Sequence, residues 1–328
     1  MILVFIVLNL FFLLNFDRIK LFRLINDKPD GKRKIHLKPI PLAGGIILMI
    51  NISIYFILIL INPSFFTNEI FFNNDLQLFI FMITSILIFL IGIFDDEYNL
   101  SPNLKILLLS SVIFFILYFD NDLVIRDIRI SFLDNTVGTK NLGILFSLFC
   151  ILVFLNAFNM FDGINLQSSI FSFSLIIFFI YINFLVDINF LILQSLLLFL
   201  YLNFKNKSFL GDGGCYLLSF MLGSYSIVSY NNSIINNCDV IFILMILPGF
   251  DMLRLFVVRI INKTSPFKPD RNHFHHLLLK NLGYLKTISL ISSLIFLNIV
   301  LIIFSIDTRI IFLLFIIYYF FLILRFRN

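Results

Sequence analysis

The chain has 328 residues, of which 60% are hydrophobic and only 13% charged, with a mean hydropathy of +1.03. Water-soluble domains run at about half apolar and about a quarter charged, so this composition excludes one and points to a lipid bilayer. The formal charge of +5 comes from Lys and Arg grouped between apolar runs, which fits membrane orientation and gives no reason to expect a nucleic-acid partner.

A helix crossing about 30 Å of hydrocarbon needs about 20 predominantly apolar residues. With charged and turn residues as punctuation, the chain offers eleven such stretches in order: 2–16, 42–62, 77–94, 104–119, 142–161, 167–186, 188–204, 214–230, 239–260, 287–305 and 309–325. They are continuous rather than alternating, which argues against an outer-membrane barrel. The expected fold is therefore all-α: a polytopic integral membrane protein of about eleven transmembrane helices, forming one domain over residues 1–328.

Arg18, Lys20 and Arg23 follow the first run rather than precede it, the reverse of a signal peptide, so that run is expected to stay as a span. Alternating sides along the eleven spans, 20 Lys and Arg fall on one side. Arg126, Arg129, Lys140 and Arg309 fall on the other. The excess marks the cytoplasm, which predicts a periplasmic N-terminus and a cytoplasmic C-terminus. The three cysteines, Cys150, Cys215 and Cys238, lack the spacing of a metal or disulfide framework and read as small packing residues.

The polar constellations of the chain, Gly31 to Gly45, Asp95 to Lys105, Asn156 to Gln167, Lys205 to Gly214 and Pro266 to His276, all fall on the predicted cytoplasmic side. Ionisable groups at membrane depth are costly, so such clustering at span ends points to one site facing the cytoplasm. Asp95-Asp96 are adjacent carboxylates that repel each other unless a cation or proton is shared. They suit Mg²⁺ and phosphate chemistry, or a solvated helix end. Lys105 offers a point charge to an anionic headgroup, or a positive-inside anchor. Asn156, Asn159 and Asp162 recur at i, i+3 spacing and turn hard oxygen donors one way. Asp212 lies between glycines at the start of a span, where backbone can approach a phosphate or simply turn and cap a helix. Asp270-Arg271-Asn272-His273-Phe274-His275-His276 supplies dense donors for a diphosphate, with zinc as the competing ligand but no cysteine beside it. His36 sits in a basic, Pro-containing stretch from Lys32 to Gly45 that could also anchor to anionic lipid.

In this order the motifs resemble those of the polyprenyl-phosphate N-acetylhexosamine-1-phosphate transferases, glycosyltransferase family 4. Members of that family start O-antigen, enterobacterial common antigen, teichoic acid and peptidoglycan lipid intermediates. The resemblance rests on the His36 loop with Pro41 and Gly44-Gly45, on Asp95-Asp96 with Lys105, and on Asn156-Ala-Phe-Asn159-Met-Phe-Asp162-Gly163. It rests further on Gly211-Asp212-x-Gly214 and on Ser265 to His276. The last stretch is similar to the branch acting on UDP-N-acetylglucosamine rather than the muramoyl-pentapeptide branch.

The resemblance implies transfer of a sugar-1-phosphate from a UDP-N-acetyl sugar to undecaprenyl phosphate in the bacterial inner membrane, with release of UMP. It implies Mg²⁺, with Mn²⁺ as the alternative ion, held by Asp212 and Asn159. Asp95, Asp96 and Asp162 would be the catalytic carboxylates. Lys105, His36, Asn156, Arg271, His273, His275 and His276 would bind substrate, with membrane lipid as surroundings and a homodimer as the candidate assembly. Two features depart from the pattern: Asn165 stands where many relatives have Asp, and Leu166-Gln167 where Gly-Leu is usual. Cys215 replaces a common Ser. The rival readings are the muramoyl-pentapeptide branch, a polyprenyl-lipid transporter with carboxylates near the bilayer midplane, and an aspartate-rich prenyl transferase.

Overall fold

The computed structural model describes residues 2–28, 38–61, 74–265 and 272–326. Each of the eleven apolar stretches contains a helix: α1 Ile2–Asn15, α2 Ala43–Ile61, α3 Asp75–Tyr98, α4 Pro102–Phe119, α5 Gly143–Phe161, α6 Gln167–Tyr181, α7 Val186–Phe204, α8 Gly211–Asn231, the pair α9 Cys238–Leu244 and α10 Ile246–Ile261, α12 Tyr284–Ile303 and α13 Thr308–Phe326. The short α11, Phe274–Leu282, was not among the expected elements. The chain is a multi-pass helical membrane protein. Among the described residues, seven helices are long and apolar enough to cross a membrane, or eight if α9 and α10 count as one bent span.

The stretch 239–260, expected as one span, bends by 77° at Met245. Pro248 supplies the reason. It has no N–H for the carbonyl of Leu244, the last residue of α9, and its ring clashes with that carbonyl in a continuous helix. It is tolerated in the first turn of α10, where amide donors lack helical partners anyway. The stretch 167–186 also stops early: α6 ends at Tyr181, and Asn183 and Leu185 take left-handed backbone (φ +55° and +49°) to reverse the chain into α7. Two antiparallel ladders of two residues per strand complete the elements, β1 Asn26–Asp27 with β2 Ile40–Pro41 and β3 Asp127–Ile128 with β4 Val137–Gly138.

The core forms around α8, in which every residue from Gly213 to Tyr230 is buried. This helix is rich in Gly and Ser because its neighbours are helices rather than lipid, and small residues let backbones approach. A Cβ added to Gly92 of α3 would lie 2.4 Å from Gly213 Cα, and one on Gly45 of α2 2.7 Å from Gly214 Cα. The backbone seats α8 from the other side as well: Gly44 and Gly45 donate to the carbonyls of Phe209 and Leu210, and Phe209 donates to that of Pro41. These contacts wedge the N-terminus of α8 between α2 and α3, with Asp212 at its tip.

Candidate active site

Asp95 lies in the last turn of α3 and is 2% exposed. Left-handed Asn99 (φ +50°) closes the helix, so the chain turns straight into α4 and Leu100 N–H donates to Asp95 Oδ1 at 3.0 Å. Ser101 caps α4, and Lys105 in its first turn sets its ammonium 2.5 Å from Asp95 Oδ2. The Tyr216 hydroxyl, on α8, donates to the same oxygen at 3.3 Å and also touches the Asn159 side chain.

Asp96 faces the other way. Its two oxygens accept the backbone N–H groups of Asp212 (2.9 Å) and Gly213 (3.3 Å), so a carboxylate of α3 caps the N-terminus of α8. A Cβ on Gly211 (φ +76°) would come 2.8 Å from Asp96 Oδ2, so glycine is required there for both conformation and space. The Asp212 side chain hydrogen-bonds to Asp95 and feels Asp96 and Lys105. Among the described residues Asp95 and Asp212 thus share the Lys105 ammonium with Asp96 close by, and two carboxylates in contact repel unless a proton or a cation stands between them. Hard oxygens with surplus negative charge suit Mg²⁺.

Asp162 caps the C-terminus of α5 and accepts from Ser168 Oγ and, at 3.3 Å, from Cys215 Sγ. Burial pushes its carboxyl up from the usual range, and these two hydrogen bonds pull it part of the way back. Asn156 donates instead to its own helix, at the Leu152 carbonyl 2.7 Å away. Beyond Asp162 the chain packs onto the histidine stretch. A Cβ on Gly163 would lie 1.9 Å from His275 Nε2, so only glycine admits this ring. Leu166 takes left-handed backbone (φ +70°), and Gln167 Nε2 lies 3.3 Å from His275 Nδ1. Asn165 ties the same turn to the end of α7, donating to the Asn203 carbonyl (3.0 Å) and Asn206 Oδ1 (2.6 Å).

The three imidazoles cluster at the start of α11. The rings of His273 and His275 stack with centroids 5.3 Å apart, and those of His275 and His276 lie 4.3 Å apart. Burial among other potential cations pushes His275 well below the ordinary histidine range, which makes it a neutral ring. His273 Nδ1 lies 3.1 Å from Asp251 Oδ2. Asp251 Oδ1 accepts from Arg254 (2.8 Å), Phe274 N–H (3.1 Å) and the Tyr319 hydroxyl (2.8 Å).

The structure therefore brings Asp95, Asp96, Lys105, Asn159, Asp162, Asp212, His273, His275 and His276 together at one end of the bundle. Asn156 is on the same helix end but spends its amide on α5. His36 and Arg271 lie outside the described residues. Sequence reasoning missed Tyr216, Ser168, Asp251, Arg254 and Tyr319. A signal existed for one pair, since Asp251 and Arg254 are opposite charges at i, i+3 inside an apolar stretch, where ionisable residues need partners. Cys215, read as a small packing residue, and Gln167, noticed as a departure from a pattern, both touch site residues.

The model for glycosyl transferase family 4 matches residues 78–230, the segment from α3 to α8 that carries the carboxylates and Asn159. Among curated proteins, the undecaprenyl-phosphate alpha-N-acetylglucosaminyl 1-phosphate transferase of Thermotoga maritima is 26% identical over 269 residues, covering 81% of this chain and 77% of the relative. The protein of the same name from Salmonella typhi is 27% identical over 272 residues, 77% of this chain and 69% of the relative. A probable undecaprenyl-phosphate N-acetylglucosaminyl 1-phosphate transferase of Bacillus subtilis is 24% identical over 261 residues, with the same coverage. On its matched central helices the chain is similar to glycosyl transferase family 4, and the relatives aligned along most of its length carry the undecaprenyl-phosphate N-acetylglucosaminyl 1-phosphate transferase name.

Proposed function

We propose that this protein transfers N-acetylglucosamine-1-phosphate, or a closely related sugar-1-phosphate, from its UDP-sugar to undecaprenyl phosphate, forming the lipid diphosphate sugar that starts a cell-envelope polysaccharide such as O-antigen. The observation that carries this reading is the junction at Asp162 and Gly163. Cys215 beside Asp212 bonds to Asp162, and Gly163 packs on His275, so carboxylates and imidazoles from opposite halves of the chain form one surface. The names of the relatives support the same chemistry.

In this reaction a lipid-phosphate oxygen bonds to the sugar-linked phosphorus, the diphosphate bond breaks, and UMP leaves with the bridging oxygen. One diphosphate is exchanged for another, so alignment and charge neutralisation matter more than driving force. Lys105 releases Asp95 to pair with the acceptor phosphate, and Asp95 then orients that phosphate or takes its proton. Asp96 works at one remove by fixing the α8 N-terminus and hence Asp212. Asp162 lines the junction, and the imidazoles of His273, His275 and His276 hydrogen-bond the donor's diphosphate or sugar. Asp212 and Asn159 would hold Mg²⁺, or Mn²⁺ in its place, which supplies charge neutralisation on the donor diphosphate.

The 20-to-4 division of Lys and Arg supports a cytoplasmic site in the inner membrane, with the N-terminus outside, the C-terminus inside and eleven membrane passages. Three of those passages would be the short α1 and α6 and the protein-enclosed α8, whose composition reflects helix neighbours rather than lipid. The test incubates membranes containing the protein with Mg²⁺, undecaprenyl phosphate and a panel of radiolabelled UDP-sugars. Label in the organic extract with one sugar, matched by UMP and abolished by EDTA until Mg²⁺ is restored, is the expected result. No transfer from folded protein with any sugar would overturn the proposal.

A further inference from the structure

Asp251 was singled out by no motif, yet it organises the histidine end of the site. It projects from α10, just beyond the bend at Met245, and is 3% exposed. Three donors from three elements converge on Oδ1: Arg254 of α10, Phe274 N–H of α11 and the Tyr319 hydroxyl of α13. Arg254 also donates to the Asn272 carbonyl at 2.6 Å, which clasps the chain just before His273. Oδ2 is left for the His273 ring alone among these partners. A carboxylate ringed by donors is an acceptor, so His273 must carry a proton on Nδ1.

We propose that Asp251 is a positioning residue: it fixes the His273 imidazole with its proton on Nδ1, leaving Nε2 as the nitrogen offered to hydroxyl or amide N–H groups of the donor sugar. This rests on the transfer reaction proposed above. The same group could be read as a metal site, because ligand atoms of Asp251, His273 and His275 lie within 4.8 Å of one another, the one such trio among the described residues. The donor set argues otherwise. Oδ1 already accepts three hydrogen bonds, and a guanidinium 2.8 Å away opposes a second cation.

Asp251→Asn makes a sharp prediction. The three donors on Oδ1 demand that the new amide place its oxygen there, so its NH₂ meets His273. The ring must then accept at Nδ1 and carry its proton on Nε2. With four histidines in the chain, ¹⁵N spectra of histidine-labelled protein can follow the change. The expected result is a ring protonated at Nδ1 in the parent that is absent in Asp251→Asn. Alongside it, kcat/KM for the UDP-sugar falls about tenfold to a hundredfold while KM for undecaprenyl phosphate stays within about twofold. A loss of packing alone would not switch the tautomer and would disturb both substrates.

Tyr319→Phe removes one Oδ1 donor without touching His273 and should keep the Nδ1–H signature. If Asp251→Asn does not yield folded protein, the parent and Tyr319→Phe spectra decide. Nδ1–H in both supports the assignment, and an unprotonated Nδ1 in either overturns it. A transfer rate in Asp251→Asn equal to the parent's, or stoichiometric zinc bound through the His273 ring, would also overturn it. An inactive parent with the Nδ1–H signature intact would instead refute the transfer reaction and leave the Asp251–His273 arrangement standing.

Discussion

Two carboxylate clusters stand at the same end of the bundle and are built on opposite electrostatic plans. At Asp251 a single carboxylate meets a guanidinium, a backbone amide, a tyrosine hydroxyl and an imidazole, so its charge is fully answered within the protein. At the tip of α8, Asp95 and Asp212 are answered among the described residues by the Lys105 ammonium, and Asp96, capped by two backbone amides, adds a third carboxylate beside them. The saturated cluster holds elements in place and needs no ligand. The unsaturated one sets carboxylates against one another, as expected where substrate charge must be managed.

The largest effect that could break this contrast is in the unsaturated cluster. Asp212→Asn should lower lipid labelling about 1000-fold, the scale of losing a key electrostatic group. Its thermal midpoint in detergent should hold or rise, since removing a charge relieves repulsion. A large fall in midpoint would mean that Asp212 is structural. The saturated cluster should respond in reverse. Arg254→Met strips Asp251 of its guanidinium and should cost about 3 kcal/mol of stability, read as a lowered midpoint, with a smaller loss of turnover per folded molecule.

Smaller changes sharpen the join between the clusters. Gly163→Ala forces a methyl group into His275 and should cut transfer about tenfold at a stability cost of about 1–3 kcal/mol. Unchanged kinetics would show that the contact does not matter to the reaction. Tyr216→Phe deletes the hydroxyl between Asp95 and Asn159, worth about 1 kcal/mol and therefore about fivefold in rate. Cys215→Ser should stay within about twofold, because a hydroxyl donates to Asp162 as a thiol does.

Much of the candidate site was legible because its residues are chemically expensive where they stand. Asp95, Asp162, Asp212 and the histidines are polar groups at the ends of apolar runs, and that alone marked them. Asp96 was legible as a residue but not as a role: its partners are backbone amides of a helix more than a hundred residues later. Asp251 had a local signature only in Arg254 three residues on, and Tyr319 was hidden inside an apolar stretch, where a single polar residue carries no local signature of its partner. Gln167 stood out against the expected pattern, yet its proximity to His275 depends on the left-handed turn at Leu166.

By itself, the sequence determined that this chain is helical and membrane-embedded, where its long apolar helices lie and which residues gather at their ends. Those properties follow from the solvation of each segment on its own, which needs no knowledge of neighbours. Tertiary structure alone decided that α8 is the buried hub, that α9 and α10 part at Pro248, and that Asp96 caps α8 while Asp251 seats His273. These outcomes depend on which backbones can approach, through Gly45, Gly92, Gly163, Gly213 and Gly214, and on which distant donors then meet one carboxylate. Close packing and directed hydrogen bonds are relations between segments, and no segment carries them alone.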